Sequence, residues 1–141
     1  MIDPAEFEDV GQDNSFIGHL HGIRRRQLGD RVETCLRVEP HHLNPNGTVH
    51  GGVLLTLMDI TLGMTVEAYL NSPSGRHPIT VQLNSSMIAA ASEGQVVFGQ
   101  AQVDGSSRTM TWASGRMVCE GRTLMTGTAV FRNPPPASPP A

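Results

Sequence analysis

The chain contains no lysine. All ten of its basic residues are arginine, set against 13 acidic residues, and the formal net charge is −3. Proteins that bind nucleic acids hold the phosphates with a strongly basic surface, which this composition does not provide. We therefore expect no nucleic-acid partner, and we interpret the longest basic run, Arg24-Arg25-Arg26, as the solvated end of a strand.

Cysteine and long apolar segments are also scarce. Cys35 and Cys119 are too few for a disulfide framework and lack metal-ligand spacing, so we expect two buried, unreactive thiols. The acidic first ten residues lack the apolar core of a secretory signal. No apolar run approaches the roughly 18 residues of a membrane span. These features predict a soluble cytoplasmic protein with no membrane partner.

Alternation of apolar and polar residues predicts several strands within one domain. The alternation is clear over residues 31–39 and weaker over residues 16–27. Four further strand-like segments follow at residues 77–87, 95–104, 108–120 and 123–132, with turns at residues 93–94, 104–107 and 120–121. Gly99, Gly115 and Gly127 inside the last three strands predict bends or a close approach of the backbone to a neighbour.

A single helix is predicted between these strands, over about residues 50–70. It is apolar on all sides and is therefore expected to be buried. One buried helix wrapped by a curved antiparallel sheet is an α+β fold, which we assign to residues 16–132. Residues 1–15 are expected to form an N-terminal extension or short helix, and the proline-rich residues 133–141 a disordered tail.

Asp59 is the sharpest functional signal. It is the only charged residue between His50 and Val66. Burying an unpaired carboxylate is costly, and a buried ionisable group near a polar loop is typical of a functional site. The alternative is a carboxylate that is hydrogen-bonded locally or lies between subunits.

The start of the helix is a second signal. The loop of residues 44–49 leads into His50-Gly51-Gly52 and then directly into the apolar run. First-turn amides lack acceptors within the helix, and glycine lets a ligand oxygen approach them closely. Such amides can stabilise the oxyanion of an acyl transfer. The alternatives are a plain glycine-rich turn and a phosphate cradle, but the latter lacks a lysine and a P-loop pattern.

These residues together resemble a known signature. The pattern Asn44-x-x-Gly47-x-x-His50-Gly51-Gly52, with Asp59 nine residues after His50, is similar to that of the hot-dog thioesterases of the phenylacetate-pathway (PaaI-like) group. The resemblance covers residues 16–132, including the segment of residues 79–84 and the turn Ser107-Arg108-Thr109. It implies the hot-dog fold and hydrolysis of an acyl-CoA substrate to a free acid and CoA, with no cofactor or metal.

The resemblance also implies roles for single residues. Asp59 would be the general base or the nucleophile, and the Gly51 amide would form the oxyanion hole. Asn44 would position the attacking water, His50 would help to fix the thioester carbonyl, and Thr80 would supply a supporting hydroxyl. The residues that match positions near bound CoA or acyl chain are Gly52, Gln82, Met87, Ser107 and Arg108.

Two departures from the family pattern bear on the substrate. The segment of residues 84–87 lacks the aromatic residue often found after that strand, and Ser106-Ser107 replaces the usual glycine before Arg108. Both lie where acyl or CoA contacts are expected. They therefore leave the acyl group open without affecting the implied reaction. Arg108 has an alternative interpretation as a surface or interface arginine.

Helix geometry predicts that the site needs two chains. Gly51 and Asp59 are eight residues apart, about 12 Å along one helix, so one carbonyl cannot contact both. Antiparallel helices of a dimer would bring Asp59 of one chain opposite Gly51 of the other, as in the family's dimers. We expect at least a homodimer, with a tetramer formed as a dimer of dimers left open.

Several other residues are weaker candidates for a functional site. His19 and His21 would share a face of a strand, and His41-His42 lies near the motif, but neither pair has zinc-ligand spacing. Glu67 is interpreted as a helix-end carboxylate. Met110 and Trp112 alternate toward one face and are expected in the core.

Two other functions remain open beside the thioesterase. A hot-dog hydratase or dehydratase would act on the same kind of thioester, but it would pair a histidine with an acid in a different motif. A non-catalytic acyl-CoA-binding module would leave Asp59 structural.

Overall fold

The computed structural model describes residues 2–11, 13–73 and 75–135. Over these residues the chain forms one antiparallel sheet of seven strands wrapped around a long helix, α2, which confirms the α+β architecture. The order across the sheet is β1-β2-β3-β5-β6-β7-β4. The elements are β1 (Glu8–Asp9), α1 (Phe16–Leu20), β2 (Ile23–Leu28), β3 (Arg31–Arg37), α2 (Gly51–Leu70), β4 (Ile79–Met87), β5 (Val96–Ser106), β6 (Met110–Cys119) and β7 (Arg122–Arg132).

Helix α2 has clear boundaries. His50 is the N-cap in an extended conformation, and its side chain accepts a hydrogen bond from the amide of Gly52. Asn71 is the C-cap and adopts the left-handed conformation at φ 49° and ψ 48°, which asparagine tolerates better than most residues. The prediction of one helix over residues 50–70 is therefore confirmed.

The prediction that α2 is buried on all sides is wrong for the single chain. Leu57, Met58 and Leu62 are fully buried against the sheet, but Leu55 is 37% exposed and Asp59 is half-buried. By length and composition α2 also qualifies as a membrane span, yet half of that window is buried inside the fold. An apolar sequence on every side of a helix is equally typical of one face that packs on the sheet and another that packs on a second chain.

The four strands predicted after the helix are confirmed, and the first of them, β4, is an edge strand. It pairs with β7 and not with β5, so β5, β6 and β7 follow one another while β3 lies beside β5. Nearly every residue of β4 is exposed. The chain reaches this edge because α2 crosses the sheet between β3 and β4, a long-range arrangement that local sequence patterns do not encode.

The N-terminal region also differs from the expectation. Residues 16–27 do not form one strand, because Ser15 caps the short helix α1 and the chain then turns at His21 and Gly22, both at positive φ. The expected short helix after Pro4 is a single 3-10 turn, Pro4–Glu6. Phe7 beside it is buried and β1 adds to the sheet.

The glycines inside β5 and β7 lie in close contact with neighbouring residues. Gly99 and Gly127 do allow close packing, since a Cβ on Gly99 would lie 2.4 Å from Thr34 Oγ1 and one on Gly127 would lie 3.1 Å from Met58. Trp112 is not a core residue, because it is 44% exposed on the face of the sheet that points away from α2. The alternation in β6 was predicted correctly, but the face was assigned wrongly.

The turn between β5 and β6 lies later than predicted. Strand β5 continues through a bulge between Val103 and Gly105 to Ser106, and the turn occupies residues 107–109. Of the predicted disordered tail, residues 136–141 lie outside the described residues.

Candidate active site

Asp59 forms a hydrogen bond that joins the helix to the edge strand. Thr80, the second residue of β4, donates its hydroxyl to Asp59 Oδ1 over 2.7 Å. The bond leaves the second carboxylate oxygen available, and the half-buried side chain lies on the uncovered side of α2. The structure thus brings together the predicted carboxylate and its predicted supporting hydroxyl.

The first turn of α2 leaves one backbone amide without an acceptor. The amide of Gly52 donates to His50 Nδ1 at 2.8 Å, and those of Val53 and Leu54 donate to the His50 carbonyl at 2.9 and 3.2 Å. Among the described residues, nothing accepts a hydrogen bond from Gly51 N. A free amide at the positive end of a 20-residue helix is suited to bind an oxyanion.

The cap also defines the tautomer of His50. Because Nδ1 accepts the Gly52 amide, it carries no proton, and the neutral imidazole must carry its proton on Nε2. The Nε2–H of this exposed residue is therefore a further donor at the start of α2. The predicted roles of His50 and Gly51 thus involve two neighbouring donors.

The side chain of Asn44 makes its hydrogen bonds within its own loop. Its Oδ1 accepts the amides of Asn46 and Thr48 at 3.0 and 3.1 Å, and its Nδ2 donates to Thr48 Oγ1 at 3.0 Å. This is the turn chemistry that asparagine commonly supplies. One N–H of the Asn44 amide has no further partner in the described part of the chain, so it could still donate to a water.

Met87 lies over the helix start. A Cβ on Gly51 would lie 2.9 Å from Met87 Sδ, although Met87 itself is 53% exposed at the end of β4. Met87 and Gly51 therefore form one end of a groove between α2 and β4. Asp59 and Thr80 form the other end, eight residues or about 12 Å along the helix.

Ser107 and Arg108 lie at the end of the sheet where β4 begins, next to Thr80 in sequence register. Their turn directly precedes Met110, which is aligned with Arg132 and Ile79 across β6, β7 and β4. The Ser107 hydroxyl accepts the amide of Met110 at 3.1 Å, and Asn133 Nδ2 donates to the carbonyl of Arg108 at 3.1 Å. The turn is thus held by its backbone, while the guanidinium of Arg108 is exposed with no partner among the described residues.

Gln82 is separated from the other candidates. It is paired with Val130 and lines a small cavity with Trp112 and Asp104 on the outer face of the sheet. A larger cavity of about 780 Å³ on the same face is polar and includes Arg31, Arg116 and Gln100. None of the ten predicted site residues lines that larger cavity, whereas Asp59, Thr80 and Gly51 lie where α2 meets β4.

The side chains of His41 and His42, close before the motif, form hydrogen bonds with backbone atoms. Ligand atoms of Glu39, His41 and His42 lie within 4.8 Å of one another, but both ring nitrogens of His42 are already bonded to backbone atoms. A metal ion would have to displace those bonds. His19 and His21 do not share a strand face, since His19 is in α1 and His21 is the C-cap of that helix.

Two interactions were not predicted from the sequence. Glu67 accepts a hydrogen bond of 3.0 Å from His77 Nδ1, so the helix-end carboxylate has a specific partner. His42 is fully buried, which no local pattern indicated. The feature of the sequence that could have pointed to His42 is its position two residues before Asn44.

Comparisons with known proteins identify the family of the chain. Residues 46–127 match the Thioesterase superfamily. The chain is 30% identical to the inferred esterase PA0474 of Pseudomonas aeruginosa over 93% of this chain and 97% of that protein. It is 27% identical to human acyl-coenzyme A thioesterase 13 over 62% and 66%.

A solved structure shares both fold and sequence. It is a phenylacetic acid degradation-related protein of Ralstonia eutropha, with a TM-score of 0.73, 25% identity, and coverage of 82% of this chain and 88% of that one. This likeness confirms the hot-dog fold and the resemblance to the phenylacetate-pathway group. With more than half of its length matched, the chain belongs to the Thioesterase superfamily and is a thioester hydrolase.

Proposed function

We propose that this hydrolase cleaves acyl-CoA at a site formed by two chains, with Asp59 activating the attack and Gly51 binding the oxyanion. The observation that carries the proposal is the division of the groove. Asp59 and the free Gly51 amide each have the neighbours that their roles require, yet they are eight residues apart on one helix. The name of the human relative, an acyl-coenzyme A thioesterase, supports acyl-CoA as the substrate class.

The Asp59 end supplies the attack. The hydroxyl of Thr80 fixes the carboxylate through Oδ1, so Oδ2 remains to accept a proton from water. A carboxylate oxygen held within reach of a water is suited to take its proton as a general base. Partial exposure of Asp59 allows water to reach it.

The Gly51 end supplies the electrophilic contact. The free amide donates to the thioester carbonyl oxygen, and the donation strengthens as that oxygen becomes negative in the tetrahedral intermediate. The helix dipole adds a positive field at the same point. His50 Nε2–H is a second donor, and the free N–H of Asn44 is available for the attacking water.

The uncovered surface supports a dimer that joins these two ends. Leu55 lies midway between Gly51 and Asp59, so antiparallel packing of two α2 helices would bring Leu55 against its own copy and each Asp59 opposite the partner chain's Gly51. The large apolar side chains exposed along α2 and β4 would be covered by the same packing. They are Leu55, Tyr69, Val81 and Met87.

The reaction balances with these groups alone. Asp59 takes a proton from water, and the resulting hydroxide oxygen bonds to the carbonyl carbon of the thioester. The π electrons of the C=O bond move to the carbonyl oxygen, which the Gly51 amide holds. The intermediate then expels the thiolate of CoA as the C–S bond breaks, and Asp59 returns the proton to sulfur. The products are the free acid and CoA. A nucleophilic Asp59 would displace the CoA thiolate to form a mixed anhydride, which water then hydrolyses, and the net reaction is the same. If water attacks the Asp59 carboxyl carbon of the anhydride, a carboxylate oxygen enters the acid in a single turnover.

Contacts with CoA are proposed at the Asp59 end. Arg108 is an unpaired cation on an exposed, backbone-held turn and is suited to a CoA phosphate. Ser107 shapes that turn, while Met87 and Gly52 of the partner chain would flank the acyl group. Gln82 lies on the other face of the sheet, and we leave it outside the site.

A reducing compartment is part of the proposal. Cys35 and Cys119 are free and buried, which suits the cytoplasm, where CoA thioesters would be met as soluble substrates. We take the homodimer as the minimal active unit.

The proposal is tested by following free thiol while the purified protein is incubated with a panel of acyl-CoAs. Thiol release that is lost in Asp59→Asn supports it. Hydration of a double bond without thiol release would instead indicate a hydratase, and binding without turnover would indicate a carrier module.

A further inference from the structure

A buried imidazole lies directly behind the helix start. His42 has no exposed surface and ends the 3-10 turn Pro40–His42. Its Nδ1 accepts the amide of Glu39 at 3.0 Å, and its Nε2 lies 2.8 and 3.0 Å from the carbonyl oxygens of Leu20 and His21. Since Nδ1 faces a donor and Nε2 faces acceptors, the ring is neutral and protonated on Nε2.

The ring connects two segments that are distant in sequence. One is the turn between α1 and β2, where His21 has φ 58° and Gly22 has φ 90°. A positive φ is unfavourable for histidine, so the surrounding contacts must hold this turn. The other segment is the loop that leads into α2. His42 therefore fixes the loop against the body of the domain.

The backbone of His42 continues the connection to the helix start. Its carbonyl oxygen accepts the amide of His50 at 2.8 Å. His50 then engages the amides of Gly52, Val53 and Leu54, and this arrangement leaves Gly51 N free. His42 is thus hydrogen-bonded to His50, the residue that directly precedes Gly51.

We propose that His42 is a positioning residue for thioester hydrolysis, which holds the His50 cap and thereby aims the Gly51 amide without touching substrate. The inference rests on the proposed role of Gly51 as oxyanion donor. Hydrogen bonds weaken steeply as they lose alignment, and the loss falls mainly on the transition state, where the oxygen carries charge. Misalignment of the cap should therefore lower kcat more than it changes KM.

His41 provides a matched control. Its Nε2 also lies 2.8 Å from the carbonyl oxygen of Leu20, and its ring lies 4.0 Å from that of His42. It is exposed, however, and its backbone makes no hydrogen bond to His50. A variant of His41 therefore removes a hydrogen bond to the same turn and leaves the side chain of residue 42, which bears the carbonyl bonded to His50, in place.

The test compares His42→Leu, His42→Asn and His41→Leu, with kcat expressed per folded dimer. Leucine removes both ring contacts, whereas asparagine can still accept the Glu39 amide. We expect His42→Leu to lower kcat about tenfold or more with KM within about twofold, His42→Asn to be intermediate, and His41→Leu to stay within about twofold of wild type. If His42→Leu does not fold, the intermediate kcat of His42→Asn is the deciding result. Equal losses in the His41 and His42 variants, an effect confined to KM, or an undiminished kcat would overturn the proposal.

Hydrogen exchange separates this inference from the proposed function. The amides of His50 and Gly52 should exchange faster in His42→Asn than in wild type, and should be unchanged in His41→Leu. This readout does not require turnover. Unchanged exchange in the His42 variant overturns the positioning role and leaves the proposed function standing. Absence of thiol release by the wild-type protein overturns the proposed function and, with it, the role of His42 in hydrolysis.

Discussion

Thr80 donates its hydroxyl to Asp59 Oδ1 over 2.7 Å and so ties the edge strand β4 to the middle of α2. This contact is made within one chain, while the free Gly51 amide lies about 12 Å away along the same helix. In the proposed mechanism these are the two halves of a site that a second chain completes. Asp59 and Gly51 are the residues whose replacement is most informative.

Replacing Asp59 by asparagine should lower kcat by about 10²–10⁴, the range for loss of a positioned acid or base. Asparagine can still accept the Thr80 hydroxyl, so the fold should be preserved. The rate of thiol release and a thermal unfolding curve measure the two effects. Glu67→Gln is the matched control, because it neutralises the other carboxylate of α2, and its kcat should stay close to that of wild type. Comparable kcat values for all three proteins would contradict the assignment.

Replacing Arg108 by alanine should raise KM for acyl-CoA more than it lowers kcat. A phosphate contact binds the ground state and the transition state equally, so its loss weakens binding without slowing the chemical step. The increase in KM should diminish as salt rises, because salt screens exposed charges. Arg116→Ala on the outer face of the sheet is the control. An unchanged KM at low salt would remove Arg108 from the CoA site.

Replacing Gly99 by alanine should lower the free energy of unfolding by about 1–3 kcal/mol, as overpacked cores do. The new Cβ would lie 2.4 Å from Thr34 Oγ1 and 2.5 Å from Thr61 Oγ1, two hydroxyls that are hydrogen-bonded to each other in the core. Gly105→Ala in the same strand is the control, since its Cβ would meet nothing within 4 Å. Urea denaturation of both variants measures the difference. Equal stabilities would mean that the core around α2 is looser than described.

The stability of the protein should fall at alkaline pH in a way that depends on Cys35. Burial raises the pKa of this thiol from 9.0 to about 11, against an opposing effect of Arg24, Arg37 and Arg26. Below pH 9 the Cys35 thiol is protonated in both the folded and the unfolded chain, so it does not make the stability depend on pH. Between the two pKa values the unfolded chain ionises while the folded chain retains its proton, so stability decreases as pH rises. Denaturation curves from pH 8 to 11 should show a shallower decline in Cys35→Ala, and identical slopes would contradict the shift.

The sequence predicted the parts of the site that depend on local signals. The apolar run after His50-Gly51-Gly52 and the lone Asp59 identify the helix, its start and its carboxylate, because caps and breakers act within a few residues. Thr80 was assigned through the family resemblance, and its contact with Asp59 depends on β4 lying beside α2. The exposed face of α2 and the position of Gln82 also depend on sheet order.

Long-range features were missed for the same reason. Strand β4 pairs with β7 across a crossover, and alternation in a strand does not say which face meets the core, so Trp112 was placed wrongly. Helix α1 has five residues and depends on the Ser15 cap and on the packing of Ile17 and Leu20 against the core. The burial of His42 results from contacts with residues about 20 positions away.

The central claim is that each site takes Asp59 from one chain and Gly51 from the other. It is tested by mixing two inactive variants, Asp59→Asn and Gly51→Pro. Proline lacks the amide donor and suits the first helical position, and His50 before it is already extended at ψ 135°. Gly51→Ala is the control, since it keeps the amide and adds a Cβ that meets only the flexible end of Met87.

After joint unfolding and refolding, about half of the dimers should contain one chain of each kind. Each mixed dimer then has one site with both defects and one site with neither. Thiol release should return to about a quarter of the wild-type rate if the two sites act independently. If subunit exchange is verified, both variants remain folded and dimeric, and no activity returns, the site belongs to a single chain and the account is wrong.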